Sequence, residues 1–483
     1  MIVDLPDPVL PAEALGHVHF VGVGGAALSG LARIMRSRGI SVSGSDAKDS
    51  AALAALRALG IVCFVGHAAG HVDGADTVVI STAVPADNPE VVRARELGLR
   101  LWPRAAAVQS VLLGRTAVVV TGTHGKTTTT SMLATALLAC GADPSYAIGS
   151  TLNSSGLNAA DGSGPVFVVE GDESDGAILA YTPAGAVVTN VDADHLDTFG
   201  TPAAYAAVFD AFVDTIAPGG FLVCCIDDAG AAAVAELARA AGRLRVVGVG
   251  RDERSDLRMR GLAGSGPRTT YDVWAGDERC GTVELQVPGL HYAVDSLAAL
   301  AAGLQLGFGF DELSAGLAGF LGSGRRMELK GEMSGVRVFD SYAHHPSEIA
   351  ADLQAARAMA GGGRLLVCFQ PHLYSRTRFF GPQMGHALSA ADVVVVMDVY
   401  GARESPEPGV DGSLVSDAVT LPPGDVVYEP AWSAAAAQVV RRTRPGDLVL
   451  TLGAGDVTEI GPQVLALLAD AHADAETEGD RAP

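Results

Sequence analysis

The sequence predicts an α/β protein of three domains. At 483 residues with 48% hydrophobic content, the chain is too long for a single core, and its length favours about three domains. Short β-branched runs alternate with helical patterns, as in parallel βα units, and this alternation starts at His17, resumes at Val118 and starts again at Val336. We therefore predict domains over residues 1–114, 115–323 and 324–470, followed by a disordered acidic tail over residues 471–483.

The first domain opens with a glycine-rich turn. A predicted strand, His17 to Val23, leads through Gly22, Gly24 and Gly25 into a helix, and the next strand ends at Asp46. This order is typical of a dinucleotide-type fingerprint, in which an acidic residue about 20 positions on contacts a ribose. The pattern fits NAD, a UDP-sugar or a loop that only packs tightly.

The central domain begins with a candidate phosphate loop. Val118 to Val120 form a predicted buried strand, and a short loop containing Gly122 and Gly125 leads into a helix. Glycines allow backbone N–H groups to surround an anion at the start of a helix. Lys126 would reach the outer phosphates, and the Thr127 hydroxyl would bind Mg²⁺.

The lysine content supports this interpretation. Only Lys48, Lys126 and Lys330 are lysines among the 33 basic residues, so the chain uses arginine almost everywhere else. A compact ammonium retained at Lys126 is what a phosphate site requires. The alternative is a glycine-rich turn with a surface lysine, and the sequence favours phosphate binding over it.

Acidic motifs follow two further predicted strands. Residues 170–175 read EGDESD after one strand, and residues 190–197 read NVDADHLD after another. Because the carboxyl ends of parallel strands share one edge of a sheet, both motifs should lie beside the phosphate loop. Oxygen ligands from Thr127 and Glu173 suit Mg²⁺, and His195 could serve a second ion. Acidic turns that only cap helices are the alternative.

Two later histidines are also candidates. His291 precedes a predicted helix and could be a core histidine or an adenine contact. In the third domain, His372 and Arg376 follow a predicted strand, where an arginine could hold a carboxylate in a bidentate manner. A charged surface loop is the alternative for His372 and Arg376.

Charge and composition exclude several classes of protein. The net charge of −22 argues against a general binder of nucleic acid or of anionic membranes. The six cysteines form no C-x-x-C motif, and no apolar run approaches the ~18 residues of a membrane span. We therefore expect a cytoplasmic protein.

Several motifs together carry a resemblance to a known family. Along the chain these are HFVGVGGAALSGLA, STAVPADNPEV, TGTHGKTTTT, EGDESD, TNVDADHLD, GRRMELKGE, DSYAHHPSE and FQPHLYSRT. In this order and spacing they resemble the Mur ligase family over nearly the whole chain. The resemblance implies a Rossmann-like UDP-binding domain, a central P-loop ATPase domain with a mixed sheet, and a C-terminal Rossmann-like domain.

The implied activity is ATP-dependent ligation with Mg²⁺. L-alanine would be joined to the lactyl carboxylate of UDP-N-acetylmuramate through an acyl phosphate, by a monomer or weak homodimer. The resemblance implies UDP-sugar contacts at Gly22, Gly24, Gly25, Asp46 and Ser81. It implies ATP contacts at Gly122, Thr123, His124, Gly125, Lys126, Thr127, Thr128, Asn190, His291, Arg326 and Asp340.

The remaining implied roles are metal binding, amino-acid binding and catalysis. Metal ligands would be Thr127, Glu173 and His195, and the amino-acid pocket would contain Tyr342, His344, His372 and Arg376. The catalytic set would be Lys126, Glu173, His195 and His344, the last as a possible proton acceptor from the amine.

The chain departs from the family pattern at several positions, namely Leu290, Tyr292, Asp295, Ser341 and Leu373. No lysine lies between Lys126 and Lys330, so the carbamylated lysine of sister ligases is not available. Alternatives are a ligase that recycles a cell-wall tripeptide, a dinucleotide-dependent oxidoreductase, and a nucleotide-gated binding protein without chemistry.

Overall fold

The computed structural model describes residues 5–81, 83–266 and 268–479. These residues form three β-sheets with helices between the strands, in two compact units. One unit comprises the chain up to Gly261 with residues 271–284 and 294–321, and the other comprises residues 262–270, 285–293 and the chain from Gly322. The α/β class is as predicted.

The first sheet has five parallel strands in the order β3-β2-β1-β4-β5. Its strands are β1 (Val18–Val21), β2 (Val42–Asp46), β3 (Val62–Val65), β4 (Thr77–Ile80) and β5 (Arg100–Pro103). Its helices are α1 (Ala26–Ser37), α2 (Ala51–Ala58), α3 (Pro89–Glu96) and α4 (Arg104–Leu112). Because β1 lies in the middle, the glycine turn after it is flanked by the ends of β2 and β4.

The second sheet has ten strands in the order β15-β14-β13-β12-β11-β10-β6-β9-β7-β8. Its strands are β6 (Thr116–Thr121), β7 (Ser145–Ala147), β8 (Ala159–Ala160), β9 (Val166–Glu170), β10 (Gly185–Val188), β11 (Phe221–Cys225), β12 (Arg245–Gly250), β13 (Leu257–Ser265), β14 (Arg268–Ala275) and β15 (Glu278–Leu285). The sheet is mixed, since β7 pairs antiparallel with β8 and parallel with β9.

The helices of this region are α5 (Lys126–Ala139), α6 (Leu196–Phe199), α7 (Pro202–Thr215), α8 (Ala229–Ala241), α9 (Leu290–Gln305) and α10 (Phe310–Ala318). Strand β6 pairs in parallel with β9 on one side and β10 on the other. The ends of β9 and β10 therefore flank the loop after β6, as the sequence predicted. One hydrophobic cluster contains residues of both the first and the second sheet, among them Phe20, Val111, Val119 and Phe167.

The third sheet has six strands in the order β16-β17-β21-β18-β19-β20, parallel except for the pair β16 and β17. Its strands are β16 (Glu328–Met333), β17 (Val336–Ser341), β18 (Leu365–Phe369), β19 (Val393–Met397), β20 (Val426–Glu429) and β21 (Leu448–Leu452). Its helices are α11 (Pro346–Ala360), α12 (Tyr374–Leu388), α13 (Ser413–Ser416), α14 (Trp432–Val440) and α15 (Ile460–Gly479).

The tail predicted to be disordered from residue 471 is helical as far as Gly479, because its alanines and glutamates are strong helix formers and extend α15; residues 480–483 lie outside the described part. The domain limits at residues 114, 323 and 470 stay a prediction, although each sheet lies within one predicted domain. Among the described residues, no helix has the length and hydropathy needed to cross a membrane.

Candidate active site

The predicted phosphate loop connects β6 to α5. Gly122 has φ +132° and Gly125 has φ +80°, a region of backbone conformation that L side chains rarely adopt. A Cβ atom at Gly122 would lie 2.1 Å from Thr189 Oγ1, and one at Gly125 would lie 2.5 Å from Asp295 Oδ1. Both glycines are therefore required by backbone conformation and by space.

Gly122→Ala should abolish nucleotide-dependent activity, because the new methyl group must displace Thr189 from the loop. Gly141→Ala is the matched control, since Gly141 follows the other end of α5 with φ +71° and nothing within 4 Å of its Cβ position. We expect this control to keep its activity and lose about 1–2 kcal/mol of unfolding free energy. Equal phosphate release by the two variants would contradict the geometric argument.

Lys126 is held by the loop and by one carboxylate. Its Nζ donates to the carbonyls of Gly122 at 2.6 Å and Thr123 at 3.0 Å, and to Glu173 Oε1 at 3.0 Å. It also lies 2.9 Å from Glu173 Oε2, but only the Oε1 contact has hydrogen-bond geometry. Burial raises the pKa of Glu173 to about 7, against the effect of Lys126. Lys126 must exchange one of these acceptors to reach a phosphate.

Glu170, which the sequence reasoning missed, faces the loop directly. Its Oε1 accepts from the Thr127 hydroxyl at 3.0 Å, and its Oε2 accepts from the backbone N–H of Gly149 at 2.6 Å. The hydroxyl predicted to bind Mg²⁺ therefore has Glu170 as its carboxylate neighbour, whereas Glu173 binds Lys126. A signal was available, since Glu170 is the last residue of β9 and the predicted site lies at strand ends.

The loop is also fixed by Asn190 and Thr189 after β10. Asn190 Oδ1 accepts from the backbone N–H of His124 at 2.9 Å, and its Nδ2 donates to the His124 carbonyl at 3.0 Å. The Thr189 hydroxyl donates to the same carbonyl at 2.5 Å. Asn190 thus holds the loop in shape, and Thr128 is buried in the first turn of α5.

His195 lies near Glu173 in a strained conformation. Its φ is +52°, its Nε2 is 3.7 Å from Glu173 Oε1, and it precedes α6. Such strain in a residue other than glycine is concentrated at functional sites. Tyr205, which lies in no recognised motif, donates to Glu173 Oε1 at 3.0 Å and contacts Thr123 Oγ1 at 2.9 Å. It is a second contributor that the sequence reasoning missed.

The five predicted UDP-sugar residues meet at one edge of the first sheet. Gly22 has φ +86°, and its Cβ position is 3.4 Å from Ser81 Cβ. The backbone N–H of Gly24 donates to Asp46 Oδ2 at 2.9 Å, and Gly25 precedes α1. Asp46 therefore braces the turn, and its second oxygen lies 3.5 Å from the backbone nitrogen of Lys48.

In the second unit, Asp340 is held by Arg325, which precedes the predicted ATP contact Arg326. Arg325 Nε donates to Asp340 Oδ2 at 3.2 Å, and the hydroxyls of Thr451 and Thr458 donate to the same carboxylate at 2.7 and 2.8 Å. Arg325 Nη2 also donates to the Gly453 carbonyl at 2.6 Å. The end of β21 and the residues that follow it thus fix Asp340, both directly and through Arg325.

His291 and Arg326 belong to the same unit as Asp340. Burial lowers the pKa of His291 to about 4, helped by the charge of Arg326, so this imidazole is neutral at pH 7. The Tyr292 hydroxyl donates to the Arg326 carbonyl at 2.9 Å. Tyr292, one of the departures from the family pattern, therefore has a structural role. Ser341, a second departure, donates its hydroxyl to Asp352.

The four residues predicted to bind the amino acid form one group. The Tyr342 and His344 rings are 5.4 Å apart, and those of His344 and His372 are 6.0 Å apart. His372 Nδ1 lies 3.3 Å from Arg376 Nη1, and Arg376 is buried. Burial lowers the pKa of His372 to about 3, assisted by His344 and Arg376. His344 Nδ1 lies 2.9 Å from the Tyr342 carbonyl.

The fold and these sites define a ligase of three domains, and the chain belongs to the Mur ligase family. Three family models match it in order: the Mur ligase family catalytic domain over residues 17–116, the Mur ligase middle domain over 120–303 and the Mur ligase glutamate ligase domain over 325–455. The resemblance predicted from the motifs is confirmed.

The similar proteins carry one particular name. The chain is 59% identical to the UDP-N-acetylmuramate–L-alanine ligase of a Nocardioides species, over 97% of this chain and 100% of that protein. It is 52% identical to the enzyme of that name from Acidothermus cellulolyticus, over 95% and 96% of the two chains. The UDP-N-acetylmuramate–alanine ligase structure from Thermotoga maritima superposes with a TM-score of 0.79 at 27% identity, covering 94% and 99%. The three-domain α/β architecture is thereby confirmed.

Proposed function

We propose that this chain ligates L-alanine to the lactyl carboxylate of UDP-N-acetylmuramate, using ATP and releasing ADP and phosphate. Relatives of 59% and 52% identity, aligned over nearly their full length, bear the name of this activity. The observation that carries the proposal is the phosphate loop, around which Lys126, Thr127 and Glu170 lie. The same chain has a second glycine turn after β1 of the first sheet.

ATP would activate the substrate carboxylate as an acyl phosphate. A free carboxylate is a poor acyl donor, and phosphorylation gives it a leaving group that an amine can displace. The protein contributes positioning and charge, because the backbone N–H groups at the start of α5 and the Lys126 ammonium would face the transferring phosphoryl group. Nucleotide binding would include a movement of the Lys126 ammonium away from Glu173 and toward the phosphates.

The donor atoms near Thr127 fit Mg²⁺. Thr127 Oγ1 and Glu170 Oε1 are a hydroxyl and a carboxylate oxygen 3.0 Å apart, and hard oxygen donors of this kind would hold Mg²⁺ when it is bound. Bound Mg²⁺ would neutralise charge on the phosphates. We propose Thr127 and Glu170 as its main ligands, and His195 and Glu173 remain predicted ligands at the same edge of the sheet.

The amino-acid pocket would lie between Arg376 and the histidines. Arg376 can hold the α-carboxylate of L-alanine as a charge-assisted pair. The attacking amine must be neutral, and His344 would accept its proton. His372, neutral at pH 7 beside Arg376, would contribute a hydrogen bond without a second charge.

The test is release of phosphate from ATP with a panel of acceptors and amino acids. We expect turnover with UDP-N-acetylmuramate and L-alanine together, and slower turnover with glycine, which lacks one methylene, or with serine, which adds a hydroxyl. Either change is worth about 1–3 kcal/mol of discrimination. Preference for a tripeptide over L-alanine would assign the recycling activity instead. The relatives' names do not favour that alternative, and the oxidoreductase alternative leaves the phosphate loop without a role.

Arg376→Ala should raise the KM for L-alanine by roughly ten- to a hundredfold, because a charge-assisted pair contributes about 1.5–3 kcal/mol. The KM for UDP-N-acetylmuramate should stay nearly constant, because we place that substrate at the first sheet. Steady-state kinetics with each substrate varied in turn measure both constants.

Arg378→Ala is the matched control on the same helix. Arg378 pairs with Glu407 at 2.8 Å and its side chain is 51% exposed, so its loss should change neither constant. An Arg376→Ala effect confined to the UDP-sugar would show that the roles of the two domains are wrongly assigned.

A further inference from the structure

Arg104 connects two parts of the first unit. The proposed function places UDP-N-acetylmuramate at one of them, the edge of the first sheet, and ATP at the other, the phosphate loop. Strands β4 and β5 are paired so that Ile80 is opposite Pro103. Ser81 and Arg104, the next residue in each strand's direction, therefore leave the first sheet at the same edge. Ser81 is a predicted UDP-sugar contact, and Arg104 is the first residue of α4.

The Arg104 side chain does not stay with the first sheet. Its Nη2 donates to Asp172 Oδ2 at 2.9 Å and lies 3.6 Å from Asp175 Oδ2. Asp172 lies in the acidic turn between Glu170, which faces Thr127, and Glu173, which binds Lys126. The guanidinium thus connects the edge of the first sheet to the turn that carries both carboxylates of the phosphate site.

Helix α4 holds the same segment at a second point. Gln109 Nε2 donates to Thr182 Oγ1 at 2.7 Å, and Gln109 Oε1 accepts from the backbone N–H of Thr182 at 3.2 Å. Residues 105–112 are buried, so α4 is packed along its length. Pro103 precedes the helix directly, which leaves no flexible connection between β5 and α4. A rigid helix therefore links the first sheet to the segment after β9.

We propose that Arg104 is a positioning residue: through Asp172 it fixes the 170–175 turn, and with it Glu170, relative to the edge of the first sheet. This inference rests on the proposed function, because the distance that it sets is the one between the UDP-sugar carboxylate and the terminal phosphate of ATP. Reaction by in-line transfer requires these groups to be held close together. Arg104 acts through Asp172 and need not contact either substrate.

The test uses metal binding as well as turnover. In Arg104→Gln, Mn²⁺ binding in the presence of a non-hydrolysable ATP analogue, followed by the EPR signal of free Mn²⁺, should weaken by roughly ten- to a hundredfold. Phosphate release should fall by a similar factor. The affinity for UDP-N-acetylmuramate alone, measured by calorimetry, should change by less than about threefold, since a tenfold change is what one lost contact gives. Unchanged Mn²⁺ binding would overturn the proposal.

Asp172→Asn tests whether the effect passes through the carboxylate. If Arg104 acts through Asp172, each single variant and the double variant Arg104→Gln/Asp172→Asn should weaken Mn²⁺ binding to a similar extent, because they remove one interaction. Additive losses, or a loss of UDP-sugar affinity in Arg104→Gln alone, would show that Arg104 binds substrate directly, and would overturn the positioning role.

Arg38→Gln is the matched structural control. Arg38, the residue directly after α1, pairs with Asp161 at 2.9 Å, donates to the Val111 carbonyl in α4, and its side chain is only 9% exposed, against 15% for Arg104. Its loss should lower the thermal unfolding midpoint at least as much as Arg104→Gln and leave Mn²⁺ binding unchanged. Equal Mn²⁺ effects in the two variants would reduce Arg104 to a structural residue.

The outcomes for the wild-type chain separate the two proposals. Absence of nucleotide-dependent Mn²⁺ binding and of phosphate release in the wild-type protein would refute the proposed function itself. A wild-type protein with both properties, beside an Arg104→Gln variant that behaves as Arg38→Gln does, would refute only the role of Arg104. Arg104→Lys should recover part of the Mn²⁺ affinity, because an ammonium keeps the charge and one hydrogen bond.

Discussion

Lys126→Ala is expected to lower phosphate release by roughly a hundred- to a thousandfold at saturating substrates, as for the loss of a preorganised charge at a transition state. The variant should remain folded. Burial raises the pKa of Glu173 to about 7 even with Lys126 in place, and removing the ammonium raises the pKa further, so the buried carboxyl group becomes neutral. Lys126→Arg should also be strongly impaired, since a planar guanidinium does not replace a point charge.

Lys330→Ala is the matched control for this prediction. Lys330 Nζ lies 2.9 Å from Glu328 Oε2, and its side chain is 20% exposed against 16% for Lys126. The two replacements therefore remove the same charge from side chains of similar exposure, each paired with one carboxylate. We expect normal phosphate release from Lys330→Ala, and near-normal release from Lys126→Ala would contradict the assignment of the phosphate loop.

Glu170→Gln is expected to raise the Mg²⁺ concentration for half-maximal activity by about ten- to a hundredfold or more, because it removes a charged oxygen ligand. The amide oxygen can still accept from Thr127 or from the Gly149 N–H, so the local structure should be retained. Phosphate release measured against Mg²⁺ concentration tests the prediction.

Glu173→Gln distinguishes the two carboxylates of the turn. Glu173 accepts from Lys126 and Tyr205, so its replacement should chiefly disturb Lys126 and change the Mg²⁺ requirement less than Glu170→Gln does. The reverse order of effects would return the main metal role to Glu173, as the sequence predicted.

The regular parts of the fold could be predicted because they follow from strand polarity. Parallel strands place their carboxyl ends at one edge, so Lys126 could be grouped with the two acidic motifs from sequence. Gly22 and Asp46 could be grouped through the glycine fingerprint, whereas Ser81 was implied by the family resemblance. The order of β6, the glycine loop and α5 follows from a β-branched run, a glycine turn and a helical pattern, although β6 extends beyond the predicted Val118 to Val120. The residue pattern of each of these segments is by itself enough to indicate which element the segment forms.

Individual contacts could not be predicted in the same way. Three carboxylates fall within residues 170–173, and which of them faces Thr127 depends on where β9 ends and how the turn after it folds. Likewise Arg325, at φ +57°, contacts Asp340, although the sequence analysis assigned no role to Arg325. Tyr205 reaches Glu173 from a helix with no motif, and only the tertiary structure brings them together.

The strand order of the second sheet also decides when the phosphate loop can form during synthesis. Strand β6 gains its neighbours only when residues 166–170 and 185–188 have been made, and Asn190 and Asp295 close on the loop later still. Pairings so distant in sequence form slowly compared with local ones. A chain released from the ribosome before Asn190 therefore carries the TGTHGKT segment without a nucleotide site, and ATP affinity reports completion of the central sheet.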